Sequence, residues 1–141
     1  MFLTPQKSFK LKYEETRTTT YFNIFTSKVK WYTLKNVVAF QYKNEIYEVP
    51  ANLFYTDVAS YPNFLQKTFP KFFNPVGKKI SAPSVLHDFA CEQKHLSYFD
   101  KHWIYFLALR EYKVSKFKSW LSFLGVFCFY WLYSVFNRGE Y

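Results

Sequence analysis

Glycine is nearly missing from this chain, with three in 141 residues. That scarcity excludes a collagen-like repeat, a flexible glycine linker and a glycine-rich nucleotide loop. Cysteine is also sparse. Two residues, Cys91 and Cys128, are too few for a disulfide-stapled small domain. They leave thiols and a single bridge equally open. A reduced compartment is expected, because Met1–Lys7 carries no basic start followed by an apolar stretch. Acidic residues are the minority, ten against nineteen Lys+Arg, for a net charge of +9. The positive charge is scattered, and no block of like charges forms a basic tail.

Aromatic residues are abundant, at 25% of the chain, and half of all residues are hydrophobic. Such a chain must bury its rings, so disorder is excluded. The length fits one domain, 1–141. The charge suits an anionic partner such as phospholipid headgroups or an acidic wall polymer. Scattered as it is, the charge fits an ordinary soluble surface better.

The first third has the period of strands. Ser8 to Glu15 alternates, with Phe9, Leu11 and Tyr13 on one side and Lys10, Lys12 and Glu14 on the other. Tyr21 to Tyr32 is rich in aromatic and β-branched residues, with a break near Thr26-Ser27. Asn36 to Tyr42 and Glu45 to Val49 predict a hairpin turning at Lys43-Asn44. These segments predict one small antiparallel sheet of about four strands over 8–50. Prolines then crowd the stretch 51–83, which reads as a motif loop with a helical turn near Asn63–Thr68. Beyond it the period lengthens over 84–137. Ser81 or Ser84 caps a first helix through Val85, Leu86, Phe89 and Ala90. A second runs from near Ser97 to about Tyr112, and a third from Lys116 to Phe136. Strands followed by about three helices predict an α+β fold.

The third helix has a second reading. Ser119 to Asn137 contains no charged residue and reaches the length of a membrane span. Its serines, tyrosines and Asn137 dilute the apolarity and favour a buried or surface-docked helix. Membrane contact through 119–137 therefore stays open.

Two motifs carry the functional reading. One is Thr56-Asp57-Val58-Ala59-Ser60-Tyr61-Pro62, following Val49-Pro50. The other is Leu86-His87-Asp88-Phe89-Ala90-Cys91. Asp100 follows, three residues before Trp103. In this order and spacing the chain resembles a phage and prophage family known as domain of unknown function 1353, from about Tyr47 onward. The resemblance implies a common scaffold and a phage or prophage origin, with residence in the host cytoplasm or the virion. It implies no particular activity. The chain departs from the family pattern at three places. The turn after Pro50, Ala51 to Tyr55, is one residue longer and lacks a glycine. Cys91 stands where the family has an aromatic residue. Tyr98-Phe99 precedes Asp100 where the family favours alanine.

Asp57, His87, Asp88 and Asp100 are polar residues among apolar neighbours. Buried carboxylates are costly unless paired or bound to a cation. The functional expectation is that they converge on one hollow as catalytic residues. His87, Asp57 and Asp88 would then hold a divalent metal such as zinc, or His87 would act as general base. In the structural alternative Asp57 caps a turn, and Asp88 and Asp100 tie His87 to backbone amides. A rival ligand set is His87, Cys91 and His95, spaced i, i+4, i+8 along one helical face. Ser60 reads as a turn hydroxyl, since no G-x-S-x-G elbow is present.

Two functions fit. One is a small hydrolase acting on an anionic or cell-wall substrate. The other is a non-enzymatic virion component or host-protein-binding module, in which the His/Asp cluster only holds the fold. Nucleic-acid binding is disfavoured, because no zinc-finger, helix-turn-helix or RRM signature occurs.

Overall fold

The computed structural model describes residues 1–4, 10–21, 25–52, 55–56 and 81–136. Its best-specified local feature is the turn Lys43-Asn44. Both residues are left-handed, at φ 48° and 66°. That conformation matches the twist of the strands on either side. It joins β3 (Val38–Tyr42) to β4 (Glu45–Val49) in register from Val38↔Val49 to Tyr42↔Glu45. Val38, Phe40 and Tyr42 alternate into the core, as do Tyr47 and Val49. Met1–Leu3 runs beside β3, with Leu3 N donating to Ala39 O at 2.9 Å and Phe2 bridged to Phe40.

β1 (Leu11–Tyr21) and β2 (Phe25–Leu34) form a longer antiparallel pair, and β5 (Tyr55–Thr56) adds to β2 at Tyr32 and Thr33. The described strands thus make two sheets, ordered β1-β2-β5 and β3-β4, rather than the single sheet expected. The expected alternation of the first strand also breaks. The register shifts between Tyr13 and Glu15, leaving Glu14 as the extra residue of a bulge. Glu14 then accepts a hydrogen bond from Thr33 Oγ1 at 2.8 Å, while Tyr13 is exposed. After β4 the chain turns at Ala51-Asn52. Asn52 supplies the left-handed residue, at φ 59°, in a turn that contains no glycine, and its N–H reaches Leu34 O at 2.9 Å.

Three helices follow among the described residues: α1 (Ser81–Glu92), α2 (Tyr98–Glu111) and α3 (Lys116–Phe136). α1 starts at the earlier of the two serines considered, and Ser84 is buried within it. Pro83 falls in the first turn, where a missing N–H breaks no intrahelical bond. α2 begins at Ser97, whose Oγ accepts from Asp100 N at 3.1 Å. It ends in a Schellman arrangement. Val114 N bonds Leu109 O, Lys113 N bonds Arg110 O, and Lys113 occupies the left-handed position at φ 57°.

α2 is central. α1 packs on it from one side and α3 from another. Leu34, Phe40, Val49, Leu86, Ile104 and Ala108 form one core cluster between the strands, α1 and α2. Tyr105, Leu109, Val114 and Val126 form a second between α2 and α3. Burial of each large side chain contributes about 1.5–3 kcal/mol. The fold class is α+β, with strands first and helices after.

Candidate metal centre

Helix geometry assembles the site. Residues four apart on a helix lie on one face, so α1 presents His87 and Cys91 together. α2 brings His102 against them. His87 Nε2 lies 2.8 Å from His102 Nδ1 and 3.6 Å from Cys91 Sγ. The three donor atoms all lie within 4.8 Å of one another. Both imidazoles are completely buried, while Cys91 keeps partial exposure.

Aromatic rings enclose the pair. Tyr105 and Tyr130 pack against His87, and Tyr98, Phe127 and Tyr130 against His102. Tyr98 is held in place by a hydrogen bond from its hydroxyl to Phe127 O. Lys101 Nζ donates to Cys91 O at 3.1 Å, tying α2 to the last turn of α1.

Burial sets the protonation states. It drives His87 well below its ordinary value, and the neighbouring His102 lowers it further. Burial, then the charge of Lys101, lowers His102 to about 4. Both rings are therefore neutral at neutral pH. One ring N–H donates to the other ring's bare nitrogen across the 2.8 Å contact. The outer nitrogens, His87 Nδ1 and His102 Nε2, have no hydrogen-bond partner among the described residues.

The donors suit zinc. Zinc takes imidazole nitrogen at about 2.0–2.1 Å and thiolate sulfur at about 2.3 Å in a tetrahedron. Those lengths imply N···S edges of about 3.6 Å and N···N edges of about 3.3 Å. The His87–Cys91 distance already matches. To admit an ion the two imidazoles would part by about 0.5 Å, and Cys91 Sγ and the His102 nitrogen, within 4.8 Å of each other, would have to settle at about 3.6 Å.

The expected site residues divide. His87 is at the centre. Asp88, next to it on α1, projects about 100° round the helix. It is half-buried, engages other groups, and is not part of the donor cluster. Asp100 sits two residues before His102, about 200° round α2. It faces the β3–β4 turn and accepts from Tyr42 Oη at 2.6 Å, Lys43 Nζ at 2.9 Å and Ser97 Oγ at 2.7 Å. Those bonds hold its carboxyl down at about 2. Among the described residues Asp100 is thus a link between the helix start and the hairpin, apart from His87. Asp57 and Ser60, with the expected turn over Asn63–Thr68, lie outside the described residues.

Of the rival set the structure brings two residues together. Cys91 joins His87, but His95 does not. α1 ends at Glu92, and His95 stacks on Tyr47, with Nε2 3.3 Å from its hydroxyl and 3.5 Å from Glu45. His102 takes its place. It is one of only three histidines in the chain, and that rarity was the available signal.

Residues 31–126 match the family model described as Protein of unknown function (DUF1353), about two thirds of the chain. The chain belongs to this family. The match begins earlier than the resemblance read from Tyr47, and it covers His87, Cys91 and His102. No curated protein and no solved structure matches the chain.

Proposed function

We propose that this DUF1353 chain is a small metal-dependent hydrolase that holds one zinc-class ion on His87, Cys91 and His102. The carrying observation is the meeting of two neutral imidazoles and a thiol within 4.8 Å, on two helices, inside an aromatic shell. Neutral rings need no net deprotonation to ligate, but the proton shared across the 2.8 Å contact would have to move to an outer ring nitrogen, and the Cys91 thiol would have to release its own. Three protein ligands leave the fourth tetrahedral position for water, the arrangement of catalytic rather than structural zinc. Metal-bound water ionises near neutral pH and becomes a nucleophile. Cys91 is the one of the three that retains exposure, so solvent would reach a bound ion from its side. Asp57 remains in the proposal as a carboxylate for that position or for orienting the water. The net charge of +9 favours an anionic or wall-derived substrate. A phage or prophage origin, with action in the host cytoplasm or virion, belongs to the same proposal.

A second reading has its own support. The 2.8 Å contact is already a normal hydrogen bond. Metal-bound histidines ordinarily donate their other ring N–H to an acceptor, and here none is found among the described residues. In that reading the pair is structural, within a non-enzymatic virion component or host-protein-binding module.

Elemental analysis of the purified full chain separates the two, combined with hydrolysis assays on phosphodiester, ester and peptidoglycan substrates. The hydrolase reading expects about one zinc per chain. It also expects activity removed by a chelator and restored by zinc, and both lost in Cys91→Ser and His102→Gln. A metal-free, inactive wild type whose His102→Gln variant melts far lower would establish the structural pair instead.

A further inference from the structure

α3 has a second face that the metal centre does not use. Its inner side, with Ser119, Ser122, Phe123, Val126 and Phe129, is buried. On the outer side Phe117, Trp120, Leu124, Trp131 and Val135 are all exposed, Phe117 to 76% and Trp131 to 56%. At 100° per residue these five fall within about 60° of one another, a stripe about 27 Å long. A soluble monomer rarely shows so continuous an apolar band. No acidic residue occurs in the helix. Lys113, Lys116 and Lys118 are exposed at its start, the last two flanking the stripe.

We propose that this stripe is a membrane-surface anchor, on which α3 lies in the plane of an anionic bilayer with its lysines among the headgroups. The pairing of apolar band and flanking lysines is that of an interfacial helix, whose long cationic side chains reach back to phosphate. Trp131, 56% exposed, carries the kind of amphipathic ring that favours the headgroup boundary, while Trp120 also packs on Trp103 and Phe106 of α2. α3 is long and apolar enough to cross a membrane by length and composition. Its inner face, however, is committed to α2 through Val126 in the core and Phe123 against Trp103. Spanning would expose those contacts, whereas lying flat keeps them. Charge complementarity selects anionic lipid over a second copy of this chain, since a like-charged copy brings the same lysines.

The test is flotation of the full chain with phosphatidylcholine vesicles, with and without phosphatidylglycerol. The chain is expected to float with the anionic vesicles. Each lysine near such a surface contributes about 1 kcal/mol, so Lys113→Glu, Lys116→Glu and Lys118→Glu together should weaken binding at least on the order of a hundredfold. Leu124→Glu with Val135→Glu should abolish binding. Both sites are exposed, so this variant should melt like the wild type and retain the same metal content. Failure of the wild type to float, or equal binding by the variants, would overturn the proposal. So would resistance to alkaline carbonate extraction, which marks a span. A lipid-indifferent dimer that Leu124→Glu dissociates would assign the stripe to self-association instead.

Discussion

Replacing Asp100 by alanine should destabilise the fold by about 2–3 kcal/mol at neutral pH. The size follows from its three partners. The bond from Tyr42 Oη, at 2.6 Å, is part-buried and made to a charged acceptor. Such bonds contribute about 1.5–3 kcal/mol. Lys43 is largely exposed, so its ion pair adds at most about 1 kcal/mol. The bond from Ser97 Oγ steadies the cap, and a carboxylate in the first turn of α2 adds about 0.3–1 kcal/mol through the helix dipole. These overlap and do not add fully. At about 2–4 °C per kcal/mol, the variant should melt roughly 5–10 °C lower. The pH dependence follows from the lowered carboxyl. Its folded value of about 2 lies below the ordinary 3.8, so its stabilisation is complete above about pH 4. It is lost as pH falls toward 2, where wild type and variant should converge. Calorimetry across pH 2 to pH 7, with Tyr42→Phe and the double variant completing a cycle, measures all of this. A variant within about 2 °C of wild type at pH 7, or a gap that persists unchanged to pH 2, would refute the assignment of Asp100 as a structural link.

Other perturbations have equally definite outcomes. Lys113→Gly should raise stability by about 1 kcal/mol, because glycine adopts the left-handed helix end without strain, and denaturant unfolding would show it. Leu86→Ala should cost about 2–5 kcal/mol in the same assay, since Leu86 is fully buried in the main core. His95→Ala should change stability by no more than about 1 kcal/mol and leave metal content unaltered, because its side chain is itself more than half exposed.

Local chemistry was readable and distant pairing was not. The turn at Lys43-Asn44 and the bounds of α3 follow from sequence, because turn residues and the length of an apolar run are local properties. The division into two sheets arises because, among the described residues, β1 pairs with β2 and β2 with β5 but neither with β3 or β4, and no local pattern states that. The bulge at Glu14 interrupts the alternation expected to run on to Glu15, since one extra residue moves the side chains after it to the other face. Asp100 looked like a member of the site because it is acidic and near Trp103. The helix turn aims it at Tyr42 and Lys43 instead. His102 escaped notice for the opposite reason. α2 buries residues on most of its sides, including Lys101 and His102, so no stripe sets that histidine apart. Cys91 at four residues from His87 was legible, and only the third donor needed the packing of α2 to be found.

The most direct measurement is cobalt(II) titration of the reduced full chain, followed by optical absorption. One equivalent per chain should produce the intense visible bands of tetrahedral cobalt together with a thiolate charge-transfer band. Zinc should displace both, Cys91→Ser should lose the thiolate band, and His102→Gln should bind far more weakly. A spectrum that stays that of hydrated, octahedral cobalt through an excess of the ion would contradict a metal centre between α1 and α2.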